Sequence, residues 1–393
     1  MIGLPAFVRA VLETLETAGH AAYLVGGPVR SILMGKPPED WDVTTDATPD
    51  TVQSLFPKTI PTGLRHGTVT VVTDGGHVEV TTFRRDGAYT DHRRPEQVDF
   101  VTELNEDLAR RDFTMNAIAL DLRGVRTDPF GGSRDIAAGR IRSVGDPAVR
   151  FEEDALRMFR AFRFSAQLGF AIDPAILTAI HVQSHLAQSL SAERIRDELE
   201  KMLLSDRPEI LSDVLSCGLS AVYITGGKMP LLQEIGRISP QKHTRWSACA
   251  AILAESRAIE SPKAFLKALR LDNKTIAVAA TGATLAPHLP ANTIELKHLL
   301  ARHGTESVAC AAEVAILFGR PTAATDLNAI LQSGDCHSLE TLAITGADLI
   351  ATGLSPGPAL GALIARLLDH VIEHPQDNTR DILLALSSRQ TQG

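Results

Sequence analysis

The chain has 393 residues, 44% hydrophobic and 22% charged, with a formal net charge of −8. That length gives two to four domains with cores of their own, and the apolar fraction excludes a mainly disordered chain. The acidic balance excludes a polyanion binder held by bulk positive charge. No apolar run is long enough to span a bilayer, and Met1 to Ala22 carries Glu13 and Glu16 inside an amphipathic pattern, so neither a membrane span nor a signal peptide is expected. The four cysteines, Cys217, Cys249, Cys310 and Cys336, form no CxxC pair, which fits a reducing cytoplasm better than a zinc site or a disulfide framework.

In chain order, Pro5 to Gly19 reads as a helix with Val8, Val11, Leu12 and Leu15 on one stripe. Ala21 to Val25 is a short apolar strand that runs into a Gly26-Gly27 turn. Pro28 then sits at a helix start, with Val29 to Met34 as the helix. After a polar loop, Lys36 to Glu39, the segment Asp40 to Thr44 reads as a strand. Thr68 to Thr73 and His77 to Phe83 form a hairpin through Asp74-Gly75-Gly76. A charged loop spans Asp86 to Gln97, and Leu104 to Leu122 reads as a helix followed by a strand. Strand signals largely stop after Ser143; Phe151 to Gln167, Pro174 to Gln188 and Ala192 to Leu204 read as helices, as does most of the chain beyond them. Breaks fall near Gly226 to Lys228, Pro287 to Pro290 and Gly353 to Pro358. The pattern is α+β: a mixed sheet-and-helix head followed by an all-helical remainder.

Three clusters carry chemistry. The first joins Gly26, Gly27 and Arg30 to Asp40 and Asp42. A Gly-Gly turn into a helix lets backbone N–H groups approach phosphate, and residues two apart on a strand share a face. Two such carboxylates suit a divalent metal with oxygen preference, Mg²⁺ or Mn²⁺. Taken alone, the glycines also fit a plain turn and the aspartates a solvated strand end. Glu79, on a neighbouring strand, either faces solvent or completes a three-carboxylate set for two metals and in-line phosphoryl-type transfer.

The second cluster is Arg110 to Asn116. On a helix Asp112 and Asn116 share a face and suit a ribose hydroxyl pair, with Arg111 toward phosphate or a base edge; a charged helix start accounts for the same residues. The third is Arg150 to Arg160, where Asp154 and Arg157 meet at i, i+3 on an exposed helix side, either as a surface ion pair or as a reader of a base edge. Aspartate accepts and arginine donates, so together they match an amino group beside a ring nitrogen. Cytosine and adenine present that edge, whereas uracil and guanine present a carbonyl beside an N–H.

In this order the motifs resemble the class II tRNA nucleotidyltransferase/poly(A) polymerase family of bacterial type. The matching stretches include LVGGPVR (24–30), DWDVTTDATP (40–49), HGTVTVV (66–72), VEVTTFRRDGAYTDHRRPEQVDF (78–100), LARRDFTMNAIALD (108–121), DPFGG (128–132), IRSVGDPAVRFEEDALRMFRAFRF (141–164) and ERIRDELEKML (193–203), covering most of residues 20 to 205. The resemblance implies a polymerase-beta-like nucleotidyltransferase head at 1–137, a helical neck with the base-selecting motif at 138–205, a helical body at 206–290 and a tRNA-binding helical tail at 291–393. It implies Asp40 and Asp42 as the Mg²⁺-binding catalytic acids, and Glu79 stays beside them as a candidate third catalytic carboxylate on its strand position alone. Arg111, Asp112 and Asn116 then recognise ribose and triphosphate, and Asp154 and Arg157 select the base beside Glu153; Arg160 and Arg163 extend the nucleotide-binding arginines. One departure is Ser31, where the family has aspartate after Val-Arg.

The activity implied is template-independent CCA addition to tRNA from CTP and ATP, with poly(A) synthesis or partial addition as alternatives. The intact loop Asp86 to Pro95 resembles the segment that switches CTP to ATP use and favours full CCA addition. The last residues, Leu383 to Gly393, lack the basic extension of poly(A) polymerases. Thr345 to Pro358 resembles a helix-turn-helix of bacterial members, open to phosphate contact or to a purely structural role. Positive charge is local, with Arg84, Arg85, Arg93, Arg94, Arg110, Arg111, Arg157, Arg160 and Arg163 in the motif region, so RNA is expected to be held by shape and a few phosphate contacts. Nothing in the sequence fixes the oligomeric state.

Overall fold

A computed structural model describes residues 3–87, 98–225 and 229–390. Most of the expected switching loop, with Arg93 and Arg94, and the break at Gly226 to Lys228 lie outside the described residues. The chain divides into two units, Met1–Met202 with Asp213–Val222, and Leu203–Ser212 with Tyr223–Gly393.

The first unit is built on a seven-stranded sheet of order β3-β4-β5-β2-β1-β8-β9. Helix α1 (Ala6–Thr17) lays its Val8, Val11, Leu12 and Leu15 stripe against the core. Strand β1 (Ala22–Val25) enters helix α2 (Gly27–Leu33) through Gly26, whose φ of 75° a side-chain-bearing residue adopts only with strain. Strand β2 (Asp42–Thr45) pairs antiparallel with β1, and α3 (Pro49–Leu55) comes next, capped by the Thr48 hydroxyl. Strands β3 (Thr59–Gly63) and β4 (Thr68–Thr73) lead into β5 (Gly76–Thr82), and the β4–β5 hairpin forms where alternation and Asp74 to Gly76 place it. Strand β5 runs parallel to β2 with Asp42 opposite Glu79, so these two carboxylates leave the same sheet face side by side. Strands β6 (Arg84–Asp86) and β7 (Val98–Phe100) form a separate two-stranded ladder.

Two expectations fail here. Asp40 is not in a strand; β2 begins at Asp42, and Asp40 stands exposed in the bend before it. Leu104 to Leu122 does run from a helix to a strand, but the helix does not carry Asp112 and Asn116. Helix α4 (Leu104–Ala109) stops before Asp112, Thr114–Asn116 makes one 3₁₀ turn, and β8 (Ala119–Leu120) comes after it, paired with β9 (Arg126–Thr127). The turn closes through Asn116 N–H to the Phe113 carbonyl and Ala117 N–H to the Thr114 carbonyl, and the Asp112 carboxylate accepts the Phe113 N–H at 2.7 Å at its start.

Beyond the sheet come α5 (Gly132–Ala137), α6 (Pro147–Glu153), α7 (Leu156–Leu168), α8 (Pro174–Gln183) and α9 (Ala192–Leu203). The single helix expected over Phe151 to Gln167 is two. Asp154 takes extended angles (φ −144°, ψ 104°), ends α6, and accepts the Leu156 N–H at 3.1 Å to start α7. Helix α7 buries Met158, Phe159, Ala161 and Phe162 and stops at Gly169 in the left-handed region.

The second unit is helical. Lys242–Glu255 places Trp246 and Arg245 inside, the latter donating to the carbonyls of Leu203, Ile238 and Ser239, so this segment is core rather than site. Gly346–Ala351 and Pro358–Glu373 form the expected helix pair, the first closed by a Thr345/Asp348 capping box, over a core of Leu349, Leu363, Leu367 and Val371. Among the described residues no helix is long and apolar enough to cross a membrane. All four cysteines are free thiols.

Candidate active site

A polar cleft of about 490 Å³ in the first unit gathers all three motif clusters. Gly26, Gly27, Arg30, Asp40 and Asp42 line one part, Arg110, Arg111, Asp112 and Asn116 another, and Asp154, Arg157, Arg160 and Arg163 a third. Seven arginines and four aspartates line the cleft, a concentration of arginine within an acidic chain. Glu79 is the predicted site residue outside this lining; it stands exposed on β5 beside Asp42.

The turn after β1 sets the acidic wall. A Cβ on Gly26 would stand 3.4 Å from Asp42 Oδ2 and 3.3 Å from Arg111 Nη1, so this glycine, at a φ of 75°, sits where β1, β2 and the Arg111 segment converge. Burial, the charge of Glu79 and, behind these, Asp40 push the Asp42 carboxyl up to about 6, with Arg111 opposing. A carboxyl repelled by its neighbours in this way gains from a cation between them. Among the described residues no three acidic, histidine or cysteine side chains converge as a ready-made metal cage. Glu79 bears on Asp42 through its charge, beside the Asp40/Asp42 pair. A pair still fits Mg²⁺, which commonly takes one or two carboxylates and completes its shell with water and substrate phosphate.

Asp112 and Asn116 come together, but through the 3₁₀ turn. Asp112 is buried, and its carboxylate accepts from Phe113 N and Asn116 Nδ2 on one oxygen, and from Arg160 Nε (2.8 Å) and Nη2 (2.6 Å) on the other. Burial raises its pKa, yet the Arg160 charge and these bonds outweigh burial and hold the carboxyl well below the usual range. Its acceptor positions are filled, so contact with a ribose hydroxyl requires giving up one of these bonds. Asn116 Oδ1 in turn accepts from Arg30 Nη1 at 2.6 Å. The guanidiniums of Arg30, Arg160 and Arg163 surround the buried Phe164 ring at 5.0, 5.3 and 3.9 Å. Burial and the nearby Arg163 lower Arg30 to about 10. The Nε atoms of Arg30 and Arg111 are enclosed and have no hydrogen-bond partner.

Asp154 and Arg157 share the cleft but are not the surface ion pair that helical spacing allowed. Arg157 is buried and donates to Glu153 Oε2 at 2.6 Å and to the Arg110 carbonyl at 2.9 Å. Asp154 Oδ2 accepts from Arg194 Nη2 at 2.8 Å. Glu198 pairs with Arg163, and Asp107 holds both Arg110 and Arg111. Much of the expected local positive charge is thus balanced by carboxylates seated behind it. Sequence reasoning missed Arg194, Phe164 and Asp107 as functional neighbours. Arg194 acts across 40 residues, and Asp107 acts within a charged helix turn that reads as surface; the ERIRDELEKML stretch was the one signal pointing toward Arg194.

Comparison with known proteins agrees with this architecture. The Poly A polymerase head domain model matches residues 22–142, a probable RNA- and SrmB-binding site of polymerase A matches 169–221, and a putative tRNA nucleotidyltransferase domain 2 matches 240–386. The chain is 38% identical over 386 residues to the CCA-adding enzyme of Levilactobacillus brevis, covering 96% of each, and 45% identical over 292 residues to that of Geobacillus thermodenitrificans, covering 72% of this chain and 70% of that one. Its fold is similar to the crystal structure of Bacillus stearothermophilus CCA-adding enzyme in complex with CTP, with a TM-score of 0.84 at 34% identity, covering 98% of this chain and 96% of that one. The chain belongs to the bacterial CCA-adding enzyme and poly(A) polymerase family.

Proposed function

We propose that this chain is a template-independent CCA-adding tRNA nucleotidyltransferase of the cytoplasm, building C, C and A from CTP and ATP onto the tRNA 3′ end. The 3′-hydroxyl attacks the α-phosphate of the bound nucleotide, an O–P bond forms, and pyrophosphate leaves. The observation that carries this reading is a single cleft joining the Asp40/Asp42 wall, the Asp154 and Arg157 base-reading groups, and enclosed arginine donors without partners. Similarity over nearly the whole chain to CCA-adding enzymes supports it.

Asp40 and Asp42 are the residues that would hold Mg²⁺, which supplies hydroxyl activation and charge neutralisation at the reacting phosphate. Arg30 and Arg111 turn their enclosed Nε–H donors to the triphosphate, and Arg160 and Arg163 add charge around it. Gly26 and Gly27 let backbone come close to the same phosphates. Asp112 orients Arg160 and Asn116, and Asn116 orients Arg30 in turn, so the ribose end of the nucleotide meets a fixed network. Asp154 accepts from the exocyclic amine of cytosine or adenine while Arg157 donates to the ring nitrogen beside it. Glu79 tunes Asp42. In this reading residues 1–137 form the head, 138–205 the neck, 206–290 the body and 291–393 a tail that holds tRNA.

Incubation of tRNA lacking its 3′ CCA with each nucleotide singly tests the proposal. Incorporation of C from CTP alone, with little from UTP or GTP, is expected. Poly(A) synthesis without CTP use would assign the chain to the other branch of the family.

A further inference from the structure

The base-reading carboxylate does not stand alone. Asp154 sits at the break between α6 and α7 with extended backbone angles. Its backbone N–H reaches the Arg150 carbonyl at 3.2 Å, and Oδ1 accepts the Leu156 N–H at 3.1 Å. Those contacts hold the backbone and one carboxylate oxygen. The second oxygen, Oδ2, accepts from Arg194 Nη2 at 2.8 Å, an ion pair whose partners are about a fifth exposed. Arg194 comes from α9, near the start of that helix, and also lines the cleft. Its Nη1 is enclosed and carries no partner, so this side chain brings an unfilled donor to a cleft shaped to receive a ligand.

We propose that Arg194 is a positioning residue for nucleotide selection, fixing the Asp154 carboxylate in the one orientation that accepts from a base amino group. This rests on the proposed function above and deepens it, because the family motif supplies Asp154 and Arg157 while the residue that aims Asp154 lies 40 residues further on. An acceptor that can swing aside tolerates a base carbonyl; one held from both oxygens cannot retreat, and uracil and guanine meet lone pair against lone pair. Arg157 is held in the same manner by Glu153 and the Arg110 carbonyl, so both halves of the reading pair are set by protein contacts before a base arrives.

The test compares kcat/KM for CTP against UTP, and for ATP against GTP, in the wild type and in Arg194→Ala, Arg194→Gln and Arg194→Lys. Wild-type addition of C and A checks the proposed function separately. Given that activity, Arg194→Ala and Arg194→Gln should lower discrimination about tenfold, as expected for loss of one charge-assisted bond, with Arg194→Lys retaining most of it. In the double variant Asp154→Ala/Arg194→Ala discrimination should match that of Asp154→Ala alone, because Arg194 acts through Asp154. Should Arg194→Ala fail to fold, the glutamine and lysine variants give the same readout. A uniform fall in rate for all four nucleotides with discrimination unchanged, or additive losses in the double variant, would overturn the inference.

Discussion

Replacing Asp112 tests whether the arginine cluster is held together by one buried carboxylate. In Asp112→Ala, Arg160 loses two bonds of 2.8 and 2.6 Å, Asn116 loses its acceptor at 3.1 Å, and three guanidiniums remain around Phe164 with one anion fewer. Breaking a buried pair from one side commonly costs about 3–5 kcal/mol. The Arg160 side chain is a third exposed and can recover some hydration, which places this loss near the lower end, about 3 kcal/mol. Asp112→Asn keeps an acceptor but not the charge and should cost about 1–2 kcal/mol. The assay is urea unfolding followed by Trp41 fluorescence in a Trp246→Phe background, so that the signal comes from the unit that holds the site. The same bond has a pH signature. The folded pKa of Asp112 is depressed, so its contribution is present above the unfolded carboxylate value and is lost as pH falls toward the lower folded value. Wild type should lose stability from about pH 4 downward more steeply than Asp112→Asn. An alanine variant within about 1 kcal/mol of wild type, or identical acid profiles, would refute the network.

Asp42 predicts the opposite sign. Its folded pKa is raised from 3.8 to about 6, so without divalent metal the ionised group costs stability as pH rises through that window. Asp42→Asn should therefore be more stable than wild type at about pH 8 in a chelator, by at most roughly 3 kcal/mol, while losing nucleotide incorporation; an unchanged or lower melting temperature would contradict this. Gly132→Ala should destabilise the first unit by several kcal/mol, because the added Cβ falls 2.0 Å from the Thr114 carbonyl oxygen, and a near-neutral melting temperature would show that α5 is free to move away from the 3₁₀ turn. Arg245→Met removes donors from three carbonyls, two of these bonds being buried, and should cost about 2–4 kcal/mol in the second unit, read by Trp246 fluorescence in a Trp41→Phe background; transitions that coincide with the parent would refute that role.

The head was legible where local signals are strong. Gly26-Gly27-Pro28 marks the turn from β1 into α2, and Asp74 to Gly76 marks the β4–β5 hairpin, because turn chemistry and side-chain alternation act over a few residues. Strand β3 left little trace, since three of its five residues are exposed and it lies at the sheet edge. The break between α6 and α7 was hidden for another reason. Phe151, Ala155, Leu156 and Phe159 continue a helical apolar stripe straight through Asp154, and the interruption is set by Asp154's own cap on Leu156 and by Arg194. Asp112 and Asn116 were paired correctly for the wrong local reason: they meet because a carboxylate satisfies the turn around it and is held by Arg160 from 48 residues away. Motif spacing thus revealed which side chains share the cleft. What each one touches depended on partners that no local pattern encodes.

The central claim is that one cleft reads C and A in order without a template. The direct measurement is sequencing of product 3′ ends after tRNA lacking CCA is incubated with the protein, a divalent cation and all four nucleotides together. Products ending in CCA with no further growth are expected. Products that end in CC alone, or that carry long A tails, would contradict the claim.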